Sequence, residues 1–158
     1  MKAHKVAGLE PTQGLAQAAQ RIVAVRVAEL YSFAPAALEP HGDVALHDMR
    51  IAAKRLRYVL ELVGFCLDDV AVELANRVRQ LQTLIGEIHD YDVLLARLAP
   101  LSSANSTGTT RLARRFREQR DALFVQFTTQ WAAIEASGLH DRLLAATNSS
   151  PNGVPMSA

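Results

Sequence analysis

The chain has 158 residues, of which 49% are hydrophobic and only 6% aromatic. Its 17 lysine and arginine residues face 16 aspartate and glutamate residues, which leaves a formal net charge of +1. This length predicts one domain, and the aliphatic-rich composition favours helices over an aromatic-rich β-sandwich. The balanced charge excludes a globally basic nucleic-acid-binding protein, so any anion site must be local.

Cysteine use and hydropathy limit the other classes of protein. Cys66 is the single cysteine, which excludes an intramolecular disulfide and a zinc site built on several thiolates. It lies in an apolar run and is expected in the core. Polar residues between Glu10 and Arg21 interrupt the segment after the basic start, so no secretory signal is predicted. No transmembrane helix is expected either, and we predict a cytoplasmic protein.

Two amphipathic helices are predicted in the first half of the chain. The first spans about residues 14–33 with Leu15 on its apolar stripe, and Pro35 then predicts a break. The second begins near Asp43, a candidate N-cap, and runs to about Phe65. Its core positions recur at helical spacing and are Met49, Ala53, Leu56, Leu60 and Val63.

Two further helices are predicted in the second half. The third runs to about Leu98 and is ended by Pro100, and residues 101–110 form a solvated loop. The fourth spans about residues 111–136, and a short helical turn follows at about 139–146. The core positions are Leu74, Val78, Leu81, Ile85 and Ile88 on the third helix and Leu112, Phe116, Leu123, Phe127 and Trp131 or Ile134 on the fourth.

The predicted fold is therefore all-α, an up-and-down four-helix bundle of long amphipathic helices. Residues 1–146 are assigned to the bundle. Residues 147–158 are expected to be disordered, because their small polar side chains bury too little apolar surface to offset the entropy of ordering.

A cationic strip runs along the second helix. At about 100° of turn per residue, one arc of roughly 100° opposite the core collects positive and polar side chains. They are His47, Arg50, Lys54, Arg57 and Tyr58. Positive groups stacked about one turn apart suit an extended anion, and guanidinium groups bind phosphate oxygens bidentately. A solvated face without a ligand, partly neutralised by Glu61, is the competing interpretation.

Two sequence motifs resemble those of a known family. The string from Leu46 to Tyr58, LHDMRIAAKRLRY, closely resembles the signature of the CHAD family, the conserved histidine α-helical domain. The string from Leu81 to Val93, LQTLIGEIHDYDV, resembles the family's leucine–glycine motif followed by aspartates. CHAD proteins are helical and bind inorganic polyphosphate, so the resemblance implies polyphosphate as the ligand. The charge pattern alone indicates only a polyanion.

The resemblance also implies which residues bind the ligand. On the second helix they are His47, Arg50, Lys54 and Arg57, with Tyr58 beside them. Arg55 is included with a smaller part, because its angle places it at the edge of the strip. Gly86 is interpreted as a close-packing position, and Asp90 or Asp92 either orients an arginine or faces solvent as a capping carboxylate.

The rest of the chain suggests further ligand-binding residues and a second copy of the chain as a partner. On the fourth helix, Arg111, Arg114 and Arg115 share a side and are further polyphosphate-binding candidates. CHAD domains usually hold two related helical bundles, whereas one set of motifs occurs here. We therefore predict a homodimer whose symmetric interface rebuilds the two-bundle unit. The resemblance also implies a location at polyphosphate granules.

Two catalytic alternatives stay open. The doublets His47-Asp48 and His89-Asp90 could hold divalent metals for phosphate-ester hydrolysis, but neighbours on a helix point about 100° apart, so each doublet would supply one ligand per site. His47 alone would suit a histidine phosphotransfer module. No helix-turn-helix pattern indicates specific nucleic-acid binding. Because no nucleophile with an adjacent base and no Gly-rich phosphate loop occurs, we expect a non-catalytic protein without cofactor or bound metal.

Overall fold

The computed structural model describes residues 2–40, 42–67, 69–102 and 107–148, and this part of the chain holds helices and no β-strand. The described helices are α1 (Leu15–Ala37), α2 (Asp43–Val63), α3 (Asp69–Ser102), α4 (Thr107–Ala136) and α5 (Leu139–Asn148), with a 3₁₀ turn at Gly64–Cys66. The all-α prediction is confirmed. The short element predicted after the fourth helix is α5, which packs on α1, α3 and α4.

Two prolines that were predicted to break helices lie inside them. α1 continues past Pro35 and α3 continues past Pro100, each to a helix end two residues further on. A proline removes one backbone donor and crowds the preceding turn. Because each proline lies in the last turn, the helix loses only the one hydrogen bond that the missing N–H would donate to the carbonyl four residues earlier.

Two predicted helix boundaries also change. α3 ends at Ser102 and α4 begins at Thr107, so the described part of the predicted loop 101–110 is helical. At the start of α2, Gly42 occupies the N-cap position and no side chain caps the helix, whereas Asp43 was the predicted cap. Asp43 instead lies in the first turn, where a carboxylate interacts favourably with the helix dipole.

The chain end is only partly described. The predicted tail, residues 147–158, begins inside α5, which runs to Asn148. Residues 149–158 lie outside the described residues, so their disorder and the boundary at 146 stay predictions. Cys66 is half-buried in the 3₁₀ turn, not enclosed in the core as expected.

The core lies where α2 and α3 face the other helices. All predicted core positions of α3 are buried, as are those of α2, apart from Val63, which is partly buried. α1 presents a different stripe, because Leu15 is 61% exposed. The residues that α1 buries are Ala19, Val23, Val27, Leu30, Ala34 and Ala37, with Arg26 and Glu29 between them.

A buried ion cluster joins α1 to α2 and to the N-terminal segment. Glu29 is fully buried, and its carboxylate accepts hydrogen bonds from Arg26 and from the Nη1 of Arg55, the latter at 2.8 Å. The backbone N–H of His4 donates to the same carboxylate at 3.2 Å. Arg26 also donates to the carbonyl oxygen of His4. Buried charges need such partners, and this cluster links α1 to α2 and to the N-terminal segment beside their shared apolar core.

Candidate anion-binding site

The two motif segments pack against each other in antiparallel helices. The imidazole rings of His47 on α2 and His89 on α3 have centroids 5.4 Å apart. About three turns along, the Nε of Arg57 donates to the side-chain oxygen of Gln82 at 2.9 Å. We call the surface between the two helices the α2–α3 groove. There His47, Arg50 and Arg57 of α2 meet His89, Gly86 and Gln82 of α3, and the exposed Lys54 and Tyr58 continue the strip on α2 beside them.

Arg50 crosses the groove with an unsatisfied donor. Its Nε is buried and has no hydrogen-bond partner among the described residues. The Nε lies 3.7 Å from the place that a Cβ at Gly86 would occupy, which is an ordinary van der Waals distance. Gly86 is thus a position where another side chain packs closely on α3, and it leaves room for an alanine. Arg50 lies over α3 at this glycine.

The next turn of the strip holds an aromatic ring between two cations. The Tyr58 side chain is 50% exposed, with the Lys54 Nζ 5.8 Å and the Arg57 Cζ 4.6 Å from its ring centroid. Arg57 also forms an ion pair with Glu61 at 2.9 Å. Lys54 is exposed, whereas Arg57 is held by Glu61 and by α3.

Arg55 faces a different neighbour from the rest of the strip. Its guanidinium is bound to Glu29 on the α1 side of α2, while the groove lies on the α3 side. The helical angle that placed Arg55 at the edge of the strip accounts for this. The structure therefore places His47, Arg50 and Arg57 against α3 and directs Arg55 into the ion cluster.

Carboxylates at the start of the groove are neutralised by an arginine from α4. Arg120 donates to Asp43 at 2.6 Å and to Asp92 at 2.9 Å. Burial lowers the pKa of Arg120, but the hydrogen bond and charge of Asp92, followed by the charges of Asp43 and Asp121, outweigh it and raise the pKa. Asp92 thus orients an arginine, as one interpretation of its motif proposed, although that arginine lies outside the strip.

α3 and α4 both extend past the N-terminal end of α2. Because Arg120 contacts Asp43 in the first turn of α2, the residues that precede it on α4 lie past that turn. At 1.5 Å per residue, the 34-residue α3 is about 50 Å long, against about 32 Å for the 21-residue α2. We call residues 93–102 and 107–119 the arm. Among the described side chains of the arm, Ala113 alone is buried.

The arm carries a cluster of arginines. A surface recess of about 560 Å³ is lined by three of them together with two threonines. They are Thr107, Thr110, Arg111, Arg114 and Arg117. Arg115, which was predicted to act with Arg111 and Arg114, is exposed but does not line this recess. Arg114 is 3.6 Å from the carboxylate of Glu118 in an exposed ion pair.

Two residues of these surfaces were not among the predicted binding residues. His89 was considered only as part of a metal-binding doublet, yet it faces His47 across the groove. Its position three residues from Gly86, on nearly the same side of α3, was the signal that could have identified it. Arg117 continues the three-residue spacing of Arg111 and Arg114, which places it one further step around the helix.

The site is a basic groove between two antiparallel helices of an all-α protein. A family model of the CHAD domain matches residues 2–99, more than half of the chain and both motifs. The protein belongs to the CHAD family. No curated protein and no solved structure matches the chain. Residues 100–158, which include α4 and α5, lie outside the family match.

The described residues offer neither a metal-binding cluster nor a membrane-spanning helix. Among the described residues there is no group of three or more His, Cys, Asp or Glu side chains placed to hold a metal ion. The two His-Asp doublets contact each other through the His47 and His89 imidazoles. None of the helices in that part of the chain is long and apolar enough to cross a membrane.

Proposed function

We propose that the protein binds inorganic polyphosphate without catalysis, and that the phosphate chain lies along the α2–α3 groove. The observation that carries the proposal is Arg50, whose buried Nε lacks an acceptor among the described residues. Leaving a buried donor unpaired costs about 1–3 kcal/mol, and more for a charged group. A phosphate oxygen bound there would supply the acceptor through a charge-assisted hydrogen bond.

The order of the groups supports an extended ligand. His47 and His89 lie at one end, Arg50 follows one turn along α2, and Lys54 follows at the next turn. The helical rise spaces these α2 residues by about 4.5 and about 6 Å along the axis. Successive phosphates would meet an imidazole pair, a guanidinium and an ammonium group, with Tyr58 holding Lys54 beside its ring.

The electrostatic surroundings also favour an anion. Asp43 and Asp92, which would repel phosphate, are both bound by Arg120. Arg57 is the weaker contributor among the strip residues, because Glu61 already shares its charge. Arg55 supports the groove indirectly, by fixing α2 on α1 through Glu29. The family is associated with polyphosphate, which favours this ligand over other polyanions.

Titration of the purified protein with long-chain polyphosphate tests the proposal. The Arg50→Gln and Lys54→Gln variants should each weaken binding about tenfold, because each removes a direct ionic contact, and added duplex DNA should compete poorly. Arg21→Gln removes one exposed arginine from α1 and is the matched control. Equal loss in all three variants would contradict a localised site.

We further propose that two copies associate to supply the second bundle that CHAD domains usually contain. Support comes from apolar side chains at the end of the bundle opposite the arm, where Leu62 is 73%, Phe65 77% and Val72 62% exposed. Phe65 and Val72 line one recess of about 510 Å³. Light scattering should give a dimer mass that Phe65→Ser converts to a monomer mass, whereas a wild-type monomer at micromolar concentration would contradict the dimer.

A histidine phosphotransfer module is the second candidate, because His47 is exposed beside two cations. Incubation with a labelled phosphodonor followed by a search for acid-labile phosphohistidine separates it from simple binding. Our proposal predicts no label on the protein.

If polyphosphate is the ligand, the protein should also be recruited to cytoplasmic polyphosphate granules in cells, which fluorescence microscopy of a tagged chain would test.

A further inference from the structure

The positive charge of the chain is concentrated on the arm. Between Val93 and Gln119 the sequence has five arginines and one glutamate, a formal charge of +4, whereas the whole chain carries only +1. The remaining residues therefore carry a formal charge of −3. Such a separation of charge creates a local positive potential in a nearly neutral protein.

Three arginines of the arm are accessible to a ligand. Arg111, Arg114 and Arg117 are exposed and line one recess with the hydroxyl side chains of Thr107 and Thr110. The ion pair of Arg114 is long at 3.6 Å and lies in solvent, where it is worth little. Three guanidinium groups on successive turns would bind oxygens of an extended anion.

Along the helix axes, the arm and the groove lie in opposite directions from the ion pair between Arg120 of α4 and Asp43 of α2. Lys54 lies 11 residues beyond Asp43, and Arg111 lies 9 residues before Arg120. Because α2 and α4 are both antiparallel to α3, the two positions are about 30 Å apart along the helix axes at 1.5 Å per residue.

We infer that the arm is a second contact for the polyphosphate chain that occupies the α2–α3 groove, so that long chains bind through both surfaces and short ones through the groove alone. The inference rests on the proposed function. Once the groove holds one part of a chain, the arm meets the rest at a high effective concentration, which raises affinity without any new contact in the groove. Affinity should then depend on chain length.

The test compares two probes, sodium tripolyphosphate and long-chain polyphosphate, on two triple variants. The arm variant carries Arg111→Gln, Arg114→Gln and Arg117→Gln. The control variant carries Arg21→Gln, Arg77→Gln and Arg142→Gln, which removes the same charge at the end of the bundle away from the arm. Thermal unfolding followed by circular dichroism establishes that both variants are folded before titration.

The arm variant is expected to lose at least about tenfold in affinity for long-chain polyphosphate and to keep its affinity for tripolyphosphate. Its salt dependence should become shallower by about 2 in log–log slope, from about 0.7 per lost contact on a flexible polyanion. Unchanged long-chain affinity, or an equal loss in the control, overturns the inference, as does an equal loss of tripolyphosphate binding. In a further titration with duplex DNA, loss of DNA binding by the arm variant with unchanged polyphosphate binding overturns the inference and assigns the arm to nucleic acid. A wild-type protein that binds neither probe overturns the proposed function itself.

Discussion

The positively charged side chains of α2 differ in which partners already bind them, although the sequence pattern groups them in one strip. Arg50 keeps an unpaired Nε in the groove, Lys54 is exposed beside Tyr58, Arg57 is shared with Glu61, and Arg55 is bound to a buried carboxylate. Helical angle predicted which side chains lie on one side of α2. It could not predict the partners, because most of those lie on other helices.

Removal of Glu61 should strengthen polyphosphate binding. Glu61 accepts from Arg57 at 2.9 Å and from Arg79 at 3.2 Å, so Glu61→Gln would release both guanidinium groups to phosphate. We expect the affinity to rise by about three- to tenfold, which is the gain expected from one additional charge-assisted contact to phosphate. Glu73→Gln removes one carboxylate elsewhere and controls for net charge. An equal gain in both variants would show that only overall charge matters.

Two substitutions of Gly86 test the steric and the electrostatic requirements of polyphosphate binding separately. Gly86→Ala should leave binding intact and stabilise α3 by about 0.5–1 kcal/mol, because the Cβ fits at 3.7 Å from the Arg50 Nε and alanine is the better helix former. Gly86→Glu should instead place a carboxylate beside Arg50 and weaken polyphosphate binding. Denaturant unfolding and titration measure the two effects. Weak binding by the alanine variant would mean that the groove cannot accommodate even a methyl group.

At the scale of the helices, the buried positions were predicted correctly where the apolar residues of a helix lie on one side and the polar residues on the other. α2 and α3 have one apolar side each, and their buried positions were predicted correctly. α1 has apolar residues on several sides, so Leu15 was misplaced and the burial of Glu29 was not anticipated. Pro35 and Pro100 misled because their effect depends on how near the helix end they lie.

Loss of the Glu29 carboxylate should destabilise the packing of α1 on α2. In Glu29→Gln, Arg26 would remain 7% exposed without its anionic partner, and breaking such a buried pair costs about 3 kcal/mol or more. Chemical denaturation of the variant measures the change. Glu39→Gln, on the surface after α1, is the control and should change stability by less than about 0.5 kcal/mol. A similarly small effect of Glu29→Gln would contradict the importance of the cluster.

The link between α3 and α5 should weaken in acid. Hydrogen bonds from Arg77 lower the pKa of Glu73 from its ordinary 4.5; burial raises it, and the hydrogen bond and charge of Arg142 on α5 lower it further, so the net shift is downward. A lowered folded-state pKa means that the carboxylate stabilises the fold above 4.5 and that this contribution is lost as pH falls through the lowered value. The difference in melting temperature between wild type and Glu73→Gln should therefore vanish at the acid end of a pH series. A constant difference would contradict the assignment.

For the whole molecule, the sequence predicted the fold class and the family but not the shape. The all-α class follows from composition and periodicity, and both motifs lie inside the matched segment. The arm was not foreseen, because it depends on the relative lengths of α2 and α3 and on where α4 begins. The meeting of His47 with His89 was equally hidden, since no single-helix pattern gives the register between two helices.

The central claim is that phosphate occupies the α2–α3 groove, and the arginine side-chain Nε–H signals in a ¹⁵N NMR titration test it most directly. Tripolyphosphate should shift the Arg50 Nε–H signal strongly, with smaller changes at Arg57 and none at Arg77 on the far part of α3. Saturable binding that leaves the Arg50 signal unchanged while signals elsewhere move would contradict the account.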